Sequence, residues 1–521
     1  MKQTLVFYCL FIAVACAWNI WPLPQKIEYS GESTVLSSEF EIKVEKESPI
    51  LLKAVDRYIP IIGKGKEDKG LRVVTVSIED DSDHLYLNTD ASYHISIDGE
   101  KGEITAKTAF GAMYGLETLS QIVEDGVLDH SKVEIDDYPT WRHRGFMIDS
   151  GRRFIPMHTV KLLMDSMPYN KLNTLHWHLS DWARVAIESK IYPVLTASLT
   201  GLQAGFFTQE EVKEIIEYGR ERGIRIIPEF DIPGHSMGWA PLHAVGMEFC
   251  DDKLQQLYDD PQNKTFTILT TYLKEVLALF PEPYVHLGCD ETTYVGKCSV
   301  EAFAAFEKKV FNYVYHTLGK RPIAWEEVLF KKNSVIPESI VNGWYRHYST
   351  EILTKGYDTI ESRGGNFYLN HIDYKMENMW SDLLNLWPTS KREGDKPVTL
   401  ELTEEQKELF GGEASMWTDN YCYALQCGAW TGAKPVAWQL YDPQYDALFE
   451  ESMISIMYPR AIAAAGSFWH YDSNLLVNST EYKTLYSAAN LRLQKRNIFT
   501  CPEECYCDEL TKCGKKYLDR V

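Results

Sequence analysis

Hydrophobic and polar positions follow two different rhythms along the chain. In the first part, apolar and polar residues alternate over 93–97, Asp98-Gly99 indicates a turn, and 103–107 predicts the returning strand of a hairpin. The segment 110–122 then carries apolar residues on one stripe at helical spacing, which is typical of packing rather than of a functional surface. These elements predict a small α+β unit that ends near Pro139.

From Arg144 onward, short apolar strands alternate with helical patterns, and nearly every strand ends in a polar cluster. Eight units of this kind predict a (β/α)₈ barrel with long loops. A doubly wound open sheet is the alternative, but no glycine-rich phosphate loop follows the first strand. The predicted strands are Gly145–Ile148, Thr174–His178, Arg225–Phe230, Tyr284–Gly288, Pro322–Trp325, Ile340–Gly343, Thr359–Glu361 and Leu409–Glu413.

Four segments follow from these patterns. Residues 1–17 contain a lysine, an apolar run and the small-residue sequence Ala15-Cys16-Ala17, as a secretory signal does. We expect the α+β accessory domain over 18–138, the barrel over 139–485, and a C-terminal helix with a cysteine-rich tail over 486–521. The apolar run is too short to cross a bilayer, so we expect an exported protein without membrane insertion, either lysosomal or secreted.

Charge and cysteine content narrow the partners and the compartment. The chain has 521 residues, of which 74 are acidic and 53 basic. Because an acidic surface repels phosphate groups, nucleic acid is not expected as a partner. Loss of the signal removes two of the 11 cysteines, so an odd number remains and at least one thiol is unpaired. The cysteines at 501, 505, 507 and 513 predict disulfide staples, with zinc binding as the weaker alternative.

Two adjacent carboxylates, Asp290 and Glu291, follow the fourth predicted strand. Neighbouring acids resist joint ionisation, so one is pushed toward its protonated form and can act as a general acid. Cleavage of a glycosidic bond needs such an acid beside a second charged group. The alternative is a structural one, in which Asp290 or Thr292 caps the next helix.

Other strand ends add carboxylates, an arginine and several tryptophans to the same predicted barrel mouth. Sugars are recognised in this way, because planar charged groups bind pairs of hydroxyls and indole faces cover the apolar side of a pyranose ring. The contributing segments are Arg144–Arg153, His176–Asp181, Glu229–His235, Trp325-Glu326, Trp344, Tyr368–Asn370 and Glu413–Trp417.

These motifs, taken in order, resemble the family 20 glycoside hydrolases, and among them the lysosomal β-N-acetylhexosaminidases. The resemblance runs from about residue 18 to 485. It is carried by Arg144-Gly145 with Asp149 and Arg152, His176-Trp177-His178 with Asp181, Glu229-Phe230-Asp231 with Pro233-Gly234-His235, His286–Glu291, Trp325-Glu326-Glu327, and Gly411–Ala414 with Met416-Trp417.

The resemblance implies a retaining mechanism in which the substrate's own 2-acetamido oxygen is the nucleophile. Glu291 is then the general acid and base, and Asp290 holds the acetamido N–H. The implied substrate-binding residues are Arg144, Asp181, His235, Trp325, Trp344, Tyr368, Asn370, Trp417 and Asp419. Among them, Arg144 and Asp419 are expected on the sugar hydroxyls, and His235, with Asp181 behind it, is expected to orient Glu291. For Asp149 and Arg152, the alternative is a structural ion pair below the site.

The sequence departs from the family pattern at three positions. Cys289 stands where glycine is usual, Asp419 stands where glutamate is usual, and Trp182 follows Asp181 where a polar residue is common. Cys250 and Cys298 resemble a family disulfide, which leaves Cys289 as a candidate for the unpaired thiol.

Two other functions remain as alternatives. A metal-dependent amidohydrolase would use His176, His178, His235 and Asp290 as ligands. A sugar-binding protein without catalysis would require the loss of an acid, and Glu291 is present. The resemblance implies no metal and no cofactor, N-acetylhexosamine-containing glycans as partners, and a homodimer as an assembly that relatives commonly form.

Overall fold

The chain folds into an open sheet followed by a closed barrel. The computed structural model describes residues 19–199, 204–370, 376–386, 407–418 and 460–498, together with positions 450, 453–455, 457, 458 and 500. The signal predicted at 1–17 and the cysteines predicted to staple the tail lie outside the described residues. No helix within these ranges is both long enough and apolar enough to cross a membrane.

The first unit is a seven-stranded sheet. Its strands are β1 (Lys26–Ser30), β2 (Thr34–Val44), β3 (Leu71–Asp80), β4 (Tyr93–Asp98), β5 (Lys101–Thr108), β6 (Val127–Leu128) and β7 (Lys132–Asp137). They are arranged in the order β1-β7-β4-β5-β3-β2-β6. Strands β4 and β5 form the predicted hairpin, with buried Ile95 opposite buried Ile104 in antiparallel register. Helices α1 (Pro49–Ile62) and α2 (Ala109–Ile122) contact each other, and α2 lies against β4 and β5.

Helix α2 is buried on every side, whereas its sequence pattern predicted a single packed stripe. The second buried face is explained by the barrel. The Tyr114 ring packs edge-on against Trp469, with 5.2 Å between ring centres, and its hydroxyl accepts a hydrogen bond from Arg144. Between the two units, buried Lys171 lies 2.7 Å from the Asp137 carboxylate. The open sheet is therefore fixed to the barrel by buried polar contacts.

The second unit is a closed parallel barrel, as predicted, and each of the eight predicted strands is present. They are β8 (His143–Asp149), β9 (Thr174–His178), β10 (Arg225–Ile232), β11 (Tyr284–Gly288), β12 (Arg321–Trp325), β13 (Ile340–Gly343), β14 (Asp358–Glu361) and β15 (Leu409–Met416). Strand β15 pairs with β8 and closes the barrel.

Helices follow most of the barrel strands. They are α3 (Met157–Tyr169), α4 (Val194–Ala197), α5 (Gln209–Arg220), α6 (Lys264–Leu277), α7 (Val300–His316), α8 (Glu327–Phe330), α9 (Ser349–Thr354), α10 (Gly364–Phe367), α11 (Met376–Met379), α12 (Arg460–Trp469) and α13 (Thr480–Lys495). Within the described ranges, 3₁₀ helices span Ser236–Val245 and Leu383–Asn385. Helix α5 begins with a capping box between Thr208 and Glu211, which explains its start.

The barrel interior changes character along its axis. Near the amino ends of the strands, an apolar layer includes Ile227, Ile323, Ile340 and Phe410. One layer further toward the carboxyl ends, the interior is polar and ionisable rather than branched and apolar. This layer contains Glu229, His176, His286 and Glu413, all at most 1% exposed. Strand alternation places these side chains inside the barrel, directly beneath the polar mouth.

Candidate active site

Asp290 and Glu291 lie in a sharp turn at the carboxyl end of β11. Gly288, Cys289 and Glu291 have φ angles of 66°, 71° and 45°, a region that L-residues rarely adopt. A Cβ on Gly288 would lie 1.9 Å from the Asp231 carboxylate, so only glycine fits there. Such strained backbone is concentrated at functional sites. The helix-cap alternative does not hold, because α7 begins at Val300 and Ser299 is its cap.

The loop after β10 supplies a histidine that contacts both acids. His235 Nδ1 lies 2.7 Å from Asp231 Oδ2 and 3.7 Å from Asp290 Oδ1. Its other nitrogen, Nε2, lies 3.4 Å from Glu291 Oε2. Asp231 Oδ1 also accepts the Cys289 backbone N–H at 3.1 Å. Asp231 therefore joins the histidine to the turn that holds the acids.

The two acids differ in their surroundings. Asp290 is buried and its Oδ1 accepts no hydrogen bond within the described structure, whereas the Glu291 side chain is 59% exposed. Burial, followed by repulsion from Asp231, raises the Asp290 pKa well above its ordinary value. The hydrogen bond from His235 lowers the Glu291 pKa. Burial opposes the charged form of His235, but Asp231 and Asp290 outweigh it and raise its pKa well above normal.

One of the two acids is thus favoured in its protonated form, as the sequence predicted, but that acid is Asp290 and not Glu291. The physical cause is the position of His235, whose charge holds Glu291 ionised in the free site. A proton carried by the His235–Glu291 pair is within reach of either atom, since 3.4 Å separates them.

Four aromatic rings form a cluster at the mouth, hereafter the aromatic cluster: Trp325, Trp344, Tyr368 and Trp417. The Trp325 ring centre lies 6.5 Å from that of Trp344 and 6.0 Å from that of Trp417. The Trp344 and Tyr368 rings are parallel within 4° at 6.1 Å. Trp325, Trp344 and Trp417 lie at the ends of β12, β13 and β15, and Tyr368 follows α10, so the barrel strands set the geometry of three of the four rings.

Two glutamates after β12 fix the loop that carries Trp344. The Glu326 carboxylate accepts backbone N–H groups of Trp344, Tyr345 and Arg346 at 3.1, 3.1 and 2.7 Å. Glu327 Oε2 accepts the Trp344 indole N–H at 3.1 Å. Burial and the neighbouring Glu326 charge raise the Glu327 pKa to about 7. Glu327 therefore fixes the Trp344 ring at the mouth of the barrel.

The arginine at the mouth is Arg152. Its guanidinium lies 4.8 Å from the Trp417 ring centre and 5.4 Å from that of Trp182. It also pairs with Asp149 and Asp181, each at 3.1 Å. The alternative that places Arg152 below the site is wrong in position, although the ion pair with Asp149 exists. The useful signal was its place just after the carboxyl end of β8.

Arg144 does not lie at the mouth, contrary to expectation. It is the second residue of β8 and is buried at the opposite end of the barrel, where its Nε donates to the Lys171 carbonyl at 2.7 Å. Its guanidinium lies 4.9 Å from the Trp469 ring centre. A residue at the amino end of a parallel strand cannot reach the carboxyl end, and Arg144 instead joins the barrel to α2.

Asp181 occupies a different place from the one predicted. It is fully buried, and its Oδ2 accepts from His178 at 2.8 Å and from Arg152 at 3.1 Å. The carboxylate bonded to His235 is Asp231, not Asp181. Asp181 therefore supports Arg152 from behind. Asn370 is buried two residues beyond Tyr368, and Asp419 lies outside the described residues.

The ligand set of the metal alternative is not brought together. Each imidazole of His176 and His178 lies between two carboxylates, with His176 between Glu413 and Glu229. Only His235 and Asp290 of the predicted set are neighbours. Together with Asp231, they are one of three described groups whose spacing would suit a cation. In the described structure, attraction between the imidazoles and the carboxylates explains why the residues of each of these three groups lie close together.

The cysteine pairing implied by the resemblance is present. Cys250 and Cys298 form a disulfide with 5.4 Å between their Cα atoms, which ties the loop after β10 to the segment after Glu291. Cys289 is a free, buried thiol, and burial raises its pKa well above normal. The thiol beside Asp290 and Glu291 is therefore held in its unreactive protonated form.

Two family models match the chain. The model described as "Glycosyl hydrolase family 20, catalytic domain" matches residues 141–426. The model described as "beta-acetyl hexosaminidase like" matches residues 57–122, within the open-sheet unit.

Named relatives and solved structures match as well. The chain is 31% identical over 439 residues to beta-hexosaminidase subunit A2 of Dictyostelium discoideum, covering 77% of this chain and 78% of the relative. It is 30% identical over 460 residues to mouse beta-hexosaminidase subunit alpha, covering 78% and 85%. The Flavobacterium johnsoniae chitobiase structure superposes with a TM-score of 0.71 at 24% identity, covering 92% of this chain and 73% of that one.

The barrel, its strand-end acids and these matches define a glycoside hydrolase. The chain belongs to glycosyl hydrolase family 20.

Proposed function

We propose that this enzyme is an exo-acting, retaining β-N-acetylhexosaminidase that removes terminal β-linked N-acetylglucosamine or N-acetylgalactosamine from glycoconjugates or chitooligosaccharides. The observation that carries the proposal is the buried Asp290 carboxylate, whose Oδ1 accepts no hydrogen bond from any residue that the structure describes, beside Glu291 and the aromatic cluster. Relatives named beta-hexosaminidases support the substrate class. So does the Streptomyces plicatus enzyme, which is described in complex with the product GlcNAc.

Asp290 suits an acetamido group because no described residue donates a hydrogen bond to its Oδ1. An unsatisfied buried carboxylate oxygen costs ~1–3 kcal/mol or more, and an amide N–H from the substrate would remove that cost. The ionised form of Asp290 is disfavoured in the free site by burial and by Asp231. Positive charge that develops on the acetamido group during reaction favours the ionised form. The interaction is therefore strongest where it lowers the barrier.

In the first step, the acetamido carbonyl oxygen attacks the anomeric carbon while the glycosidic C–O bond breaks. Glu291 receives a proton from His235 Nε2, 3.4 Å away, and donates it to the leaving oxygen, and a cyclic oxazolinium ion forms. In the second step, a water molecule gives a proton to Glu291, and its oxygen attacks the anomeric carbon as the bond from that carbon to the acetamido oxygen breaks. Two displacements at one carbon retain the β configuration. The exposed Glu291 carboxylate and its contact with His235 suit a group that exchanges protons with solvent and substrate.

The remaining groups divide between the acetamido side and the hydroxyl side. Trp325, Trp344 and Trp417 enclose the acetamido group and ring, and the Tyr368 hydroxyl donates to the acetamido carbonyl. Arg152, rather than Arg144, binds ring hydroxyls, because its guanidinium lies over Trp417 and is held by Asp181. Asn370 and Asp419 remain proposed hydroxyl ligands.

The direct test is release of p-nitrophenol from its N-acetyl-β-D-glucosaminide. We expect turnover by the native protein, and a ~10²- to 10⁴-fold lower kcat in Glu291→Gln, since general acid catalysis contributes about this much. The 2-hydroxyl analogue lacks the internal nucleophile and should not be turned over measurably. Equal rates on the two substrates, or loss of activity in excess EDTA, would contradict the proposed mechanism.

We also propose that the chain enters the secretory pathway and reaches lysosomes or the medium, with a homodimer as its assembly. The signal-like residues 1–17 support export, and the Cys250–Cys298 disulfide suits an oxidising compartment. Amino-terminal sequencing of the purified mature protein tests export: a start at or near residue 18 is expected, and an intact Met1 would contradict it.

A further inference from the structure

Glu229 is a buried carboxylate that the proposed reaction does not use. It lies inside the barrel on β10 and is not exposed at all. Oε2 accepts from His178 Nδ1 at 2.5 Å and lies 2.9 Å from His176 Nε2. Oε1 accepts the Trp325 indole N–H at 3.1 Å and lies 3.0 Å from His286 Nδ1. Four ring nitrogens from three other strands thus surround one carboxylate.

Two of these contacts lead directly into the site. Trp325 belongs to the aromatic cluster, so one arm runs from Glu229 to the proposed acetamido pocket. The other arm runs through His178, whose Nε2 donates to Asp181 at 2.8 Å, and from Asp181 to Arg152 at 3.1 Å. The two halves of the site, one aromatic and one cationic, therefore rest on opposite oxygens of the same side chain.

Both arms need Glu229 to stay ionised. Burial disfavours its charge, but His178, His286 and His176 outweigh burial and lower its pKa well below normal. His178 has a carboxylate at each ring nitrogen, so both nitrogens donate and the imidazole is protonated. Its pKa is raised well above normal for that reason, against the effect of burial. A neutral amide at 229 would offer an N–H where a protonated imidazole needs an acceptor.

We propose that Glu229 is a positioning residue that fixes the Trp325 indole and, through His178 and Asp181, the Arg152 guanidinium in one common geometry. The inference rests on the proposed function for its kinetic consequences. It goes beyond that function because it assigns a role to a side chain that touches no substrate. Misplacing reacting groups by about 1 Å costs about 10²-fold in rate, so a remote support of this kind has a measurable effect.

The barrel interior also supplies a matched control. Glu413 is 1% exposed and lies 2.8 Å from His176 Nδ1 and 3.3 Å from His143 Nε2. It belongs to the same polar layer as Glu229, yet none of its described contacts is with the aromatic cluster, Asp181 or Arg152. A role confined to folding predicts similar effects from Glu229→Gln and Glu413→Gln.

The experiment compares these two variants by steady-state kinetics on the p-nitrophenyl substrate and by chemical denaturation. We expect Glu229→Gln to lower kcat/KM by about 10- to 100-fold, with both a lower kcat and a higher KM. Glu413→Gln should stay within about threefold of the native enzyme even where it lowers stability. Equal kinetic effects in the two variants would overturn the proposal.

A spectroscopic measurement makes the test independent of activity. In protein carrying ¹⁵N-labelled tryptophan, the Trp325 indole N–H signal is assigned by its loss in Trp325→Phe. Glu229→Gln should shift this signal and Glu413→Gln should not, and an unmoved signal in Glu229→Gln would contradict the proposal. If the native enzyme lacks hydrolysis while the shift is seen, the proposed function fails and the positioning role stands.

A variant of the second arm covers the case in which Glu229→Gln does not fold. His178→Gln cuts the path to Asp181 and Arg152 and leaves the Trp325 bond in place. We expect a roughly tenfold higher KM with a smaller change in kcat, because Arg152 binds hydroxyls in ground and transition states alike. An unchanged KM in folded His178→Gln would overturn the second arm.

Discussion

The ammonium group of Lys332 lies 2.5 Å from the Glu307 carboxylate, and neither side chain is exposed to solvent. The same ammonium donates to the Cys289 carbonyl at 2.5 Å and to the Thr292 hydroxyl at 3.4 Å. The ion pair thus holds both sides of the strained turn that carries Asp290 and Glu291. It connects α7 and the segment after α8 to the candidate catalytic acids from behind.

Lys332→Met should therefore lower both the stability of the protein and its kcat. Removing one partner leaves the Glu307 charge buried without its counterion, a change worth ~3–5 kcal/mol. We expect the free energy of unfolding in urea to fall by about this amount, and kcat to fall as the turn relaxes. Lys331→Met is the matched control, because this lysine is exposed and donates to the Thr292 carbonyl at 3.2 Å. Equal losses in the two variants would contradict the assignment.

Arg152 and Arg144 should separate binding from stability. Arg152→Met is expected to raise KM at least tenfold with a modest effect on folding, since the side chain lies at the mouth and loses charge-assisted hydrogen bonds to the sugar. Arg144→Met should lower the melting temperature while KM stays unchanged, because its donors serve Lys171, Trp141 and Tyr114. Thermal unfolding and Michaelis–Menten curves of both variants test this assignment. A higher KM in Arg144→Met and a lower melting temperature in Arg152→Met would instead support the sequence-based prediction that Arg144 binds the sugar.

Asp290→Asn should lower kcat by ~10²-fold or more, because a neutral amide cannot stabilise the charge on the oxazolinium ion. KM should change less, since an amide oxygen still accepts the acetamido N–H. Asp290→Asn and Glu291→Gln are then compared on two glycosides, one that releases p-nitrophenol and one that releases the better leaving group dinitrophenol. An activated dinitrophenyl glycoside needs little protonation, so it should restore much of the rate in Glu291→Gln and none in Asp290→Asn. Equal rescue of both variants would argue against separate roles.

Stability should be greatest in mildly acidic solution. The His176 pKa is raised to about 9 by Glu413 and Glu229, which outweigh burial, so its contribution is complete below about pH 6.5 and is lost as the pH rises to 9. The Glu413 pKa is lowered to about 2, where His176 and His143 outweigh burial. Its contribution is complete above about pH 4.5 and is lost as the pH falls toward 2.

Denaturation curves at pH 3, 5.5 and 9 test this dependence. We expect a maximum near the middle value and a loss of a few kcal/mol on each side. Because His176 and Glu413 bond to each other, Glu413→Gln should reduce the loss of stability on both the acidic and the alkaline side of the maximum. A native protein that is most stable at pH 9 would contradict the protonated state of His176.

The parts of the fold that were predictable from sequence are those with local causes. Each barrel strand is a short apolar run with its own boundaries, so all eight were found. Asp290 and Glu291 are adjacent in sequence and therefore stay adjacent in space. The rings of Trp325 and Trp417 were expected together because strand ends meet at one face of a barrel.

The errors have non-local causes. Arg144 and Arg152 lie only eight positions apart, but the strand between them spans the barrel, so a one-dimensional pattern does not say which end each occupies. The sequence predicted Asp181 as the partner of His235. In the structure, the loop after β10 folds back so that His235 bonds to Asp231 instead. The Lys332–Glu307 pair joins two separate elements, and no short motif signals it.

The buried contacts between α2 and the barrel floor have a practical consequence for protein engineering. Cutting the chain near Pro139 to obtain a minimal hydrolase would remove Tyr114 from Arg144 and from Trp469, and would remove Asp137 from Lys171. The open-sheet unit and the barrel should therefore be kept together in any chimera or expression format. Directed evolution of the residues at the barrel mouth is best begun with both units present.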